Sequence, residues 1–300
     1  MIPDPERPKF SRHVRAMGPW SASHARVMGI RLAFGFEQII VLFCVFFLVS
    51  IVFMMFGQGG GAVYVPMLLA FGLPLYRCAA TSQVLILAAT ISALIVFQKA
   101  GLLDWSLVFI VEPPTNLGAF LGGYLSSYFP AAFSKLAFAC IILIGAYFMI
   151  RPIKDRQIES ADKNEHWFCL RRNFGSESYS LNLLIIIPMM ILAGFVAGML
   201  GVGGGLVKVP ALVLLGGVPM KIAVGSSSLM IGITALTGLL GHALVGHLDL
   251  KLALTLGAAV LAGSQIGARL GVKIDKKRHK KYFGYLLILI AFWMGYMAFK

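Results

Sequence analysis

Two glycine-rich stretches of the sequence have the residue types needed to bind an anion. They read GQGGGAVYVP at 57–66 and GVGGGLVKVP at 201–210. Consecutive glycines, Gly59–Gly61 and Gly203–Gly205, let successive backbone N–H groups point into one concavity. A helix that begins there would add unpaired N–H groups and the positive end of its dipole. Lys208 lies in the first turn of the second helix, where the first has Tyr64. These features predict non-covalent binding of a small oxyanion.

Polar side chains lie a few residues inside the apolar segment that follows each stretch. They form two matched triplets, Thr81-Ser82-Gln83 and Ser226-Ser227-Ser228. A single serine in a membrane helix usually bonds its own backbone or a neighbouring helix. Two matched triplets beside two matched glycine stretches favour a binding site instead. The predicted substrate-binding set is Gln58, Gly59, Gly60, Gly61, Tyr64, Thr81, Ser82, Gln83, Gly203, Gly204, Gly205, Lys208, Ser226, Ser227 and Ser228.

Carboxylates inside the apolar segments are few. Glu112 precedes Pro113-Pro114 in such a segment, which makes it a candidate coupling residue that binds a proton at a helix kink. Asp104 and Asp249 fall in short loops and are predicted to cap helices. Two GxxxG pairs are predicted to be helix-packing faces, Gly118/Gly122 and Gly263/Gly267.

An enzymatic reading has little support. Ser226–Ser228 with His242 and His247 could be a serine nucleophile with a base. The matching segment of the chain, however, has Thr81-Ser82-Gln83 without any histidine. A metal site would need further ligands that the sequence does not supply nearby. We therefore predict no catalytic residue, no cofactor and no metal.

The composition indicates the class of protein that must position these residues. Hydrophobic residues make up 59% of the 300, charged residues 13%, and the mean hydropathy is +0.85. Uncharged runs such as Gln38–Phe56 and Ile222–Gly241 approach the 20 or so residues that span a bilayer as helix. The net charge of +14 comes largely from basic clusters outside these runs. Such clusters are typical of loops that set the membrane topology and contact anionic lipid headgroups. No motif supports nucleic-acid binding, and the polar, basic N-terminus is unlike a signal peptide.

The two glycine stretches belong to a longer internal duplication. They share seven of ten positions, 144 residues apart, and after one inserted residue the match continues at an offset of 145. The predicted fold is an all-α polytopic bundle of two homologous repeats, each with a Gly-rich break and a half-length helix at 62–72 or 206–216. The predicted segments are 1–36, a basic N-terminal segment; 37–150, the first repeat; 151–180, a polar linker; and 181–300, the second repeat.

The orientation of the repeats follows from the number of crossings in each. Five apolar segments are predicted per repeat, roughly 37–57, 62–72, 77–98, 106–129, 132–150 and 181–200, 206–216, 221–242, 250–271, 281–299. Four crossings per repeat would make the copies parallel, whereas five would make them inverted. Each arrangement places one basic cluster against the positive-inside rule. We favour inverted repeats, because broken helices that meet at the midplane recur in transporters.

The paired motifs resemble those of the TauE/SafE family of membrane transporters. The resemblance rests on GQGGGAVYVP with ATSQ and GVGGGLVKVP with GSSS, and it covers about residues 37–299. It implies a multi-pass carrier of the cell inner membrane for a small anionic substrate. Sulfite, or a short organosulfonate such as sulfoacetate or taurine, would be exported by secondary transport, with a proton or other ion as coupling partner. The alternative is a passive anion channel with the same pore lining. The lipid bilayer is the other partner, and a homo-oligomer is left open.

Overall fold

The computed structural model describes residues 36–150, 168–175, 177–248, 250–273 and 276–299. The chain divides into two units, Met1–Val41 and Leu42–Lys300. The first contributes only the start of one helix to the described residues. The predicted basic segment 1–36 therefore lies almost wholly outside them, as do residues 151–167 of the predicted linker.

Ten α-helices and one β-hairpin make up the described residues. The elements of the first half are α1 Phe36–Met55, α2 Gly61–Ala70, α3 Leu75–Lys99, α4 Trp105–Leu125 and α5 Ala131–Ile150. Those that follow are β1 Cys169–Phe174, β2 Glu177–Asn182, α6 Leu183–Leu200, α7 Gly205–Leu214, α8 Met220–Leu244, α9 Leu250–Lys273 and α10 Lys276–Phe299. A short 3-10 turn, Ser126–Tyr128, joins α4 to α5.

Five of the described helices are long and apolar enough to cross a membrane. They are Leu75–Lys99, Ala131–Phe148, Leu183–Leu200, Ile222–Leu244 and Leu250–Lys273. Large apolar side chains such as Phe109, Leu289 and Phe292 are about 70% exposed, which suits contact with lipid rather than water. The predicted polytopic helical membrane fold is confirmed.

The predicted breaks and half-length helices are present in both halves. Helices α2 and α7 have ten residues each, which span about 15 Å, half the thickness of a bilayer core. Each follows glycines whose φ angles lie in the left-handed region. These are Gly57, Gly59 and Gly60 before α2, and Gly201, Gly203 and Gly204 before α7. Since only glycine adopts this region without strain, the sequence GxGGG fixes the position of each break.

The predicted GxxxG pairs are helix-packing faces, and they join helices of the two halves. On α4, Gly118 and Gly122 lie against the backbone carbonyl groups of α6. On α9, Gly263 and Gly267 lie in the same way against α1, with Phe47 and Ile51 as the contacting residues. The fourth helix of each half thus packs on the first helix of the other half. This reciprocal exchange supports the predicted duplication.

Equivalent helices of the two halves run antiparallel where they touch. Along the α3–α8 contact, Gln83 lies next to Gly238, whereas the later residue Thr90 lies next to the earlier Gly232. At the α5–α10 contact, Lys135 at the start of α5 donates to the carbonyl oxygen of Met297 at the end of α10. Helices related by an axis along the membrane normal would run parallel. The antiparallel contacts therefore support inverted repeats.

The β-hairpin occupies the second part of the predicted linker. Strands β1 and β2 pair antiparallel from Cys169↔Asn182 to Phe174↔Glu177. Tyr179 and Leu181 of β2 belong to the same buried apolar cluster as Val213 and Val218 at the end of α7. The hairpin therefore packs on the membrane helices, so this part of the predicted linker is folded.

Candidate functional site

The two glycine breaks meet inside the bundle. A β-carbon placed on Gly61 would lie 2.7 Å from the carbonyl oxygen of Gly201 and 2.8 Å from that of Val202. In the reciprocal contact, a β-carbon on Gly205 would lie 3.4 Å from Cα of Gln58. The sequence therefore brings together its two glycine stretches, 144 residues apart, at one centre.

Two isoleucines close this centre. Ile86 of α3 and Ile231 of α8 both lie within 3.2 Å of the β-carbon that Gly59 or Gly203 would carry. Both isoleucine side chains are fully buried. The two breaks are thus in direct backbone contact between apolar side chains, and an anion could reach their N–H groups only if the breaks separated.

Tyr64 and Lys208 hold equivalent positions, one turn after each break, and both fold back over a glycine. The ring of Tyr64 covers Gly60 and stacks on Phe46 with ring centroids 5.3 Å apart. The Lys208 stem covers Gly204, with Cε 3.4 Å from the position of a β-carbon there. Both side chains are fully buried. The first break thus carries an aromatic hydroxyl where the second carries a charge.

Lys208 forms a buried ion pair with Glu112 of α4. Lys208 Nζ lies 2.5 Å from Glu112 Oε1, and the two residues are 0% and 3% exposed. The same ammonium donates to Thr234 Oγ1 at 2.5 Å and to the carbonyl oxygen of Met230 at 3.2 Å. Thr234 Oγ1 in turn donates to Glu112 Oε2 at 3.1 Å. Lys208 was predicted to bind the substrate and Glu112 to be the coupling residue. In this structure the positive charge of Lys208 is neutralised by Glu112.

The first polar triplet bonds the C-terminal end of α6. Ser82 Oγ donates to the carbonyl oxygen of Gly201 at 2.7 Å. Gln83 Nε2 donates to the carbonyl oxygen of Ala197 at 3.1 Å and lies 3.4 Å from that of Gly198. Thr81 is buried beside them. In this structure, Ser82 and Gln83 therefore stabilise the second break instead of presenting these hydrogens to a substrate.

The second triplet is bonded differently, although its position in the repeat is the same. Ser226 Oγ accepts from the backbone N–H of Asp104 at 2.9 Å, so it fixes the α3–α4 loop. Ser227 Oγ donates to the carbonyl oxygen of Val224 in its own helix. Ser228 Oγ is buried without a hydrogen-bond partner among the described residues. Matched residue types have therefore not produced matched contacts.

Further buried polar atoms near the breaks lack partners. Within the described ranges these include Tyr64 OH and Gln83 Oε1 as well as Ser228 Oγ. Leaving such an atom unsatisfied costs about 1–3 kcal/mol, so each requires an explanation. A polar ligand or water beside each atom would satisfy it.

A cavity of about 480 Å³ lies at the end of the bundle where α3 begins. Its lining includes Tyr76, Ser126, Ser134 and Lys135. It also includes Met199, which is two residues before the second break. The cavity is therefore a candidate vestibule for a substrate that approaches the second break.

A pair of histidines lies at this end of α8. His242 Nε2 is 2.9 Å from the carbonyl oxygen of Gly198, which assigns the proton to Nε2, and Nδ1 then accepts from His247 Nδ1 at 3.2 Å. Burial, and secondarily the charge of Arg77, lower the pKa of His247. Ser126 Oγ lies 3.3 Å from His242 Nδ1. The histidines thus bond one another and α6, away from the triplet Ser226–Ser228.

Within the described residues no group of three His, Cys, Asp or Glu could hold a metal.

The capping prediction for Asp104 is confirmed and extended. Its Oδ1 accepts from the N–H groups of Ser106 and Leu107 at the start of α4. The same oxygen pairs with Arg172 at 3.1 Å, while Oδ2 accepts from Tyr179 OH at 2.6 Å. Asp104 therefore joins the hairpin to α4. Asp249 lies outside the described residues.

The comparison of the two repeats contains a sequence signal for the ion-pair cluster. At the offsets that align the halves, Lys208 matches Tyr64, Glu112 matches Gly257, and Thr234 matches Ala89. All three members of the cluster thus break the repeat. Positions where the two copies differ in polarity, rather than those where they agree, marked this site.

Comparison with known proteins places the chain among membrane transporters. The family model described as "Sulfite exporter TauE/SafE" matches residues 42–294. A probable membrane transporter protein, YunE of Bacillus subtilis, is 27% identical over 252 residues, which cover 80% of this chain and 89% of the relative. A probable membrane transporter protein of Haemophilus influenzae is 26% identical over 87% of this chain and 94% of its own length. No solved structure matches the chain significantly.

The family match spans all ten helices but for the first residues of α1 and the last of α10, and both breaks lie inside it. Helices suited to a bilayer, two broken helices that meet in the bundle, and the family match agree. The chain is a multi-pass membrane protein that belongs to the sulfite exporter TauE/SafE family of membrane transporters.

Proposed function

We propose that the protein is a secondary transporter that moves a small sulfur-containing anion across the cytoplasmic membrane, in the direction of export. Sulfite or a short organosulfonate such as sulfoacetate or taurine is the substrate. The observation that carries the proposal is the meeting of two broken-helix N-termini in a member of a family described as sulfite exporters. Helix N-termini favour negative charge, and the buried position would strengthen that preference.

The substrate site would form between the breaks when they separate. Gly59–Gly61 and Gly203–Gly205 would then supply N–H donors, and Lys208 a positive charge. Tyr64 and Ser228 would add hydroxyl donors that have no partner in the present structure. Gln58, Thr81, Ser82, Gln83, Ser226 and Ser227 complete the proposed lining. Separation of the breaks by rocking of one helix bundle against the other would be alternating access.

A passive anion channel would use the same lining without a closed state in each cycle. The direct contact of Gly61 with the carbonyl groups of Gly201 and Val202 favours the carrier, because it closes the centre of the bundle.

Counterflow in proteoliposomes tests the proposal. Vesicles preloaded with sulfite meet labelled sulfite outside, with taurine, sulfoacetate, sulfate and chloride as competitors. Transient accumulation of label that one sulfur anion blocks is expected for a carrier. Simple equilibration that no sulfur anion affects would overturn the carrier and indicate a channel.

A matched pair of cationic residues tests the site. Lys208→Ala should reduce counterflow far more than Arg269→Ala, because Arg269 is exposed on α9 whereas Lys208 lies at the second break. Equal losses would remove Lys208 from the proposed site.

A further inference from the structure

We infer that Glu112 and Lys208 exchange partners during transport, so that one proton crosses with each monovalent anion. The inference rests on the proposed anion transport and names its coupling ion. In the empty carrier Glu112 is a carboxylate paired with Lys208. In the loaded carrier Glu112 is protonated and the Lys208 ammonium pairs with the substrate.

The hydrogen bonds of Lys208 show why one partner must leave. An ammonium has three N–H donors, and all three are used, by Glu112 Oε1, Thr234 Oγ1 and the carbonyl oxygen of Met230. Two of these acceptors belong to α8 and keep their accepting capacity at any pH. Glu112 is the partner that a proton can convert from a charged acceptor into a neutral group. Its protonation therefore releases one donor and the whole charge of Lys208.

The charge balance of the buried site requires the proton. The pair Glu112–Lys208 is neutral as it stands, and both side chains are almost completely buried. An anion bound beside the intact pair would leave one uncompensated negative charge away from water, which is strongly unfavourable. A proton taken from solution onto Glu112 Oε1 or Oε2 makes the loaded site neutral as well. Empty and loaded carriers then both reorient without net buried charge.

The neighbouring elements supply other titratable groups, each engaged elsewhere or placed far along its helix. On α4 the N-cap Asp104 bonds Arg172 and Tyr179, and Tyr124 is 40% exposed. On α8 His242 bonds Gly198, and Lys221 lies in the first turn, 13 residues before Thr234. Asp104 is eight residues from Glu112, about 12 Å along the helix.

Helices α5, α6 and α7 and the hairpin carry few titratable groups. Helix α6 has no charged or titratable side chain, and Lys208 is the one such residue of α7. On α5, Lys135 donates to Met297, while Cys140 and Tyr147 are exposed. Glu177 and Arg171 of the hairpin are exposed. Among the described residues, Glu112 is thus the carboxylate bonded to Lys208, and its titration controls the pair.

The coupling cluster occurs once in the molecule, with Glu112 from the first half and Lys208 and Thr234 from the second. The repeat-matched positions are Gly257, Tyr64 and Ala89, which cannot form an ion pair. One proton per cycle follows from one pair. Because proton and monovalent anion neutralise each other, the direction depends on the gradients of substrate and pH and not on the membrane potential. Export then follows when the outward concentration gradient of the anion exceeds the opposing inward gradient of protons.

Counterflow across a pH series tests the inference. The variant is Glu112→Gln, which mimics the protonated side chain, and the matched control is Glu177→Gln on the exposed hairpin. Every protein meets the same mixture of sulfite and bisulfite at a given pH, so the ratio of variant to parent isolates titration of the protein. Parent activity should fall about tenfold per pH unit above the titration point of the site. Glu112→Gln should lack this fall, so its ratio to the parent rises with pH.

The result that overturns the inference is a Glu112→Gln ratio that stays constant with pH, like that of the Glu177→Gln control. If Glu112→Gln does not fold, the parent protein still gives an answer. Under mildly acidic conditions, in which bisulfite predominates, a potassium diffusion potential should leave net transport unchanged, and a several-fold change would contradict proton coupling. Loss of counterflow in the parent at every pH would instead overturn the proposed function itself.

Discussion

At the scale of single residues, the packing at the centre of the protein depends on glycines, which have no side chain. Gly61 carries no β-carbon, and this allows its backbone to approach the carbonyl oxygens of Gly201 and Val202. Gly257 lies in a helix as well, but nothing lies within 4 Å of the β-carbon it would carry. Substitutions of these two glycines therefore distinguish an effect on packing, at Gly61, from an effect on helix propensity, at Gly257.

Gly61→Ala should destabilise the folded protein by about 1–3 kcal/mol, because the added methyl group meets backbone that cannot move alone. Gly257→Ala should stabilise it by about 0.5–1 kcal/mol through helix propensity. Thermal unfolding of both variants in the same detergent measures the difference. A Gly61→Ala protein as stable as the parent would show that the breaks are not in contact.

His247 gives a prediction about pH. Burial and Arg77 lower its pKa in the folded protein, whereas an unfolded histidine titrates near about 6.5. Below that pH the unfolded chain binds more protons, so the free energy of unfolding should fall as the pH drops. His247→Gln should reduce this fall, as measured by unfolding temperature across a pH series. Parallel curves for parent and variant would contradict it.

At the scale of elements, the sequence predicted the positions of the helices along the chain better than it predicted which residues contact one another. The half-length helices were expected at 62–72 and 206–216 and are found at Gly61–Ala70 and Gly205–Leu214, because glycine and apolar runs act locally. The bonds of the triplets could not be predicted. Ser82 finds its partner 119 residues away, and which carbonyl group lies within reach depends on how the two halves pack.

The hairpin is the element that sequence reasoning missed, since it was assigned to a polar linker. Its attachment to α4 gives a prediction. Burial, and then the carboxylate of Asp104, raise the pKa of Tyr179, so its hydroxyl remains a donor through the neutral range. Tyr179→Phe keeps the ring but removes the bond to Asp104, which should cost about 1 kcal/mol.

Hydrogen exchange of the hairpin amides is the measurement for Tyr179→Phe. The loss should appear as several-fold faster exchange in β1 and β2, because local opening exposes the strands. Tyr128→Phe is the control, since Tyr128 is 74% exposed. Unchanged protection of the hairpin in Tyr179→Phe would mean that apolar packing alone holds it on α4.

At the scale of the whole molecule, the two halves exchange helices about a pseudo-two-fold arrangement. α4 packs on α6 and α9 on α1, while α3 lies antiparallel to α8 and α5 to α10. Hydropathy could not decide between four and five membrane crossings per repeat, because it does not show whether α1 and α2, on either side of the break, make one crossing or two. Antiparallel contacts between equivalent helices support inversion, an arrangement in which equivalent breaks can meet at the midplane.

Inversion predicts that equivalent positions face opposite sides of the membrane. Lys99 and Leu244 are exposed residues at the ends of α3 and α8, 145 residues apart and therefore matched in the repeat. In a background without Cys44, Cys78, Cys140 and Cys169, single cysteines replace each residue in turn. A membrane-impermeant thiol reagent should label one of them in right-side-out vesicles and the other in inverted vesicles. Labelling of both from one side would mean parallel repeats related by an axis along the membrane normal, which would contradict the antiparallel contacts of α3 with α8 and of α5 with α10.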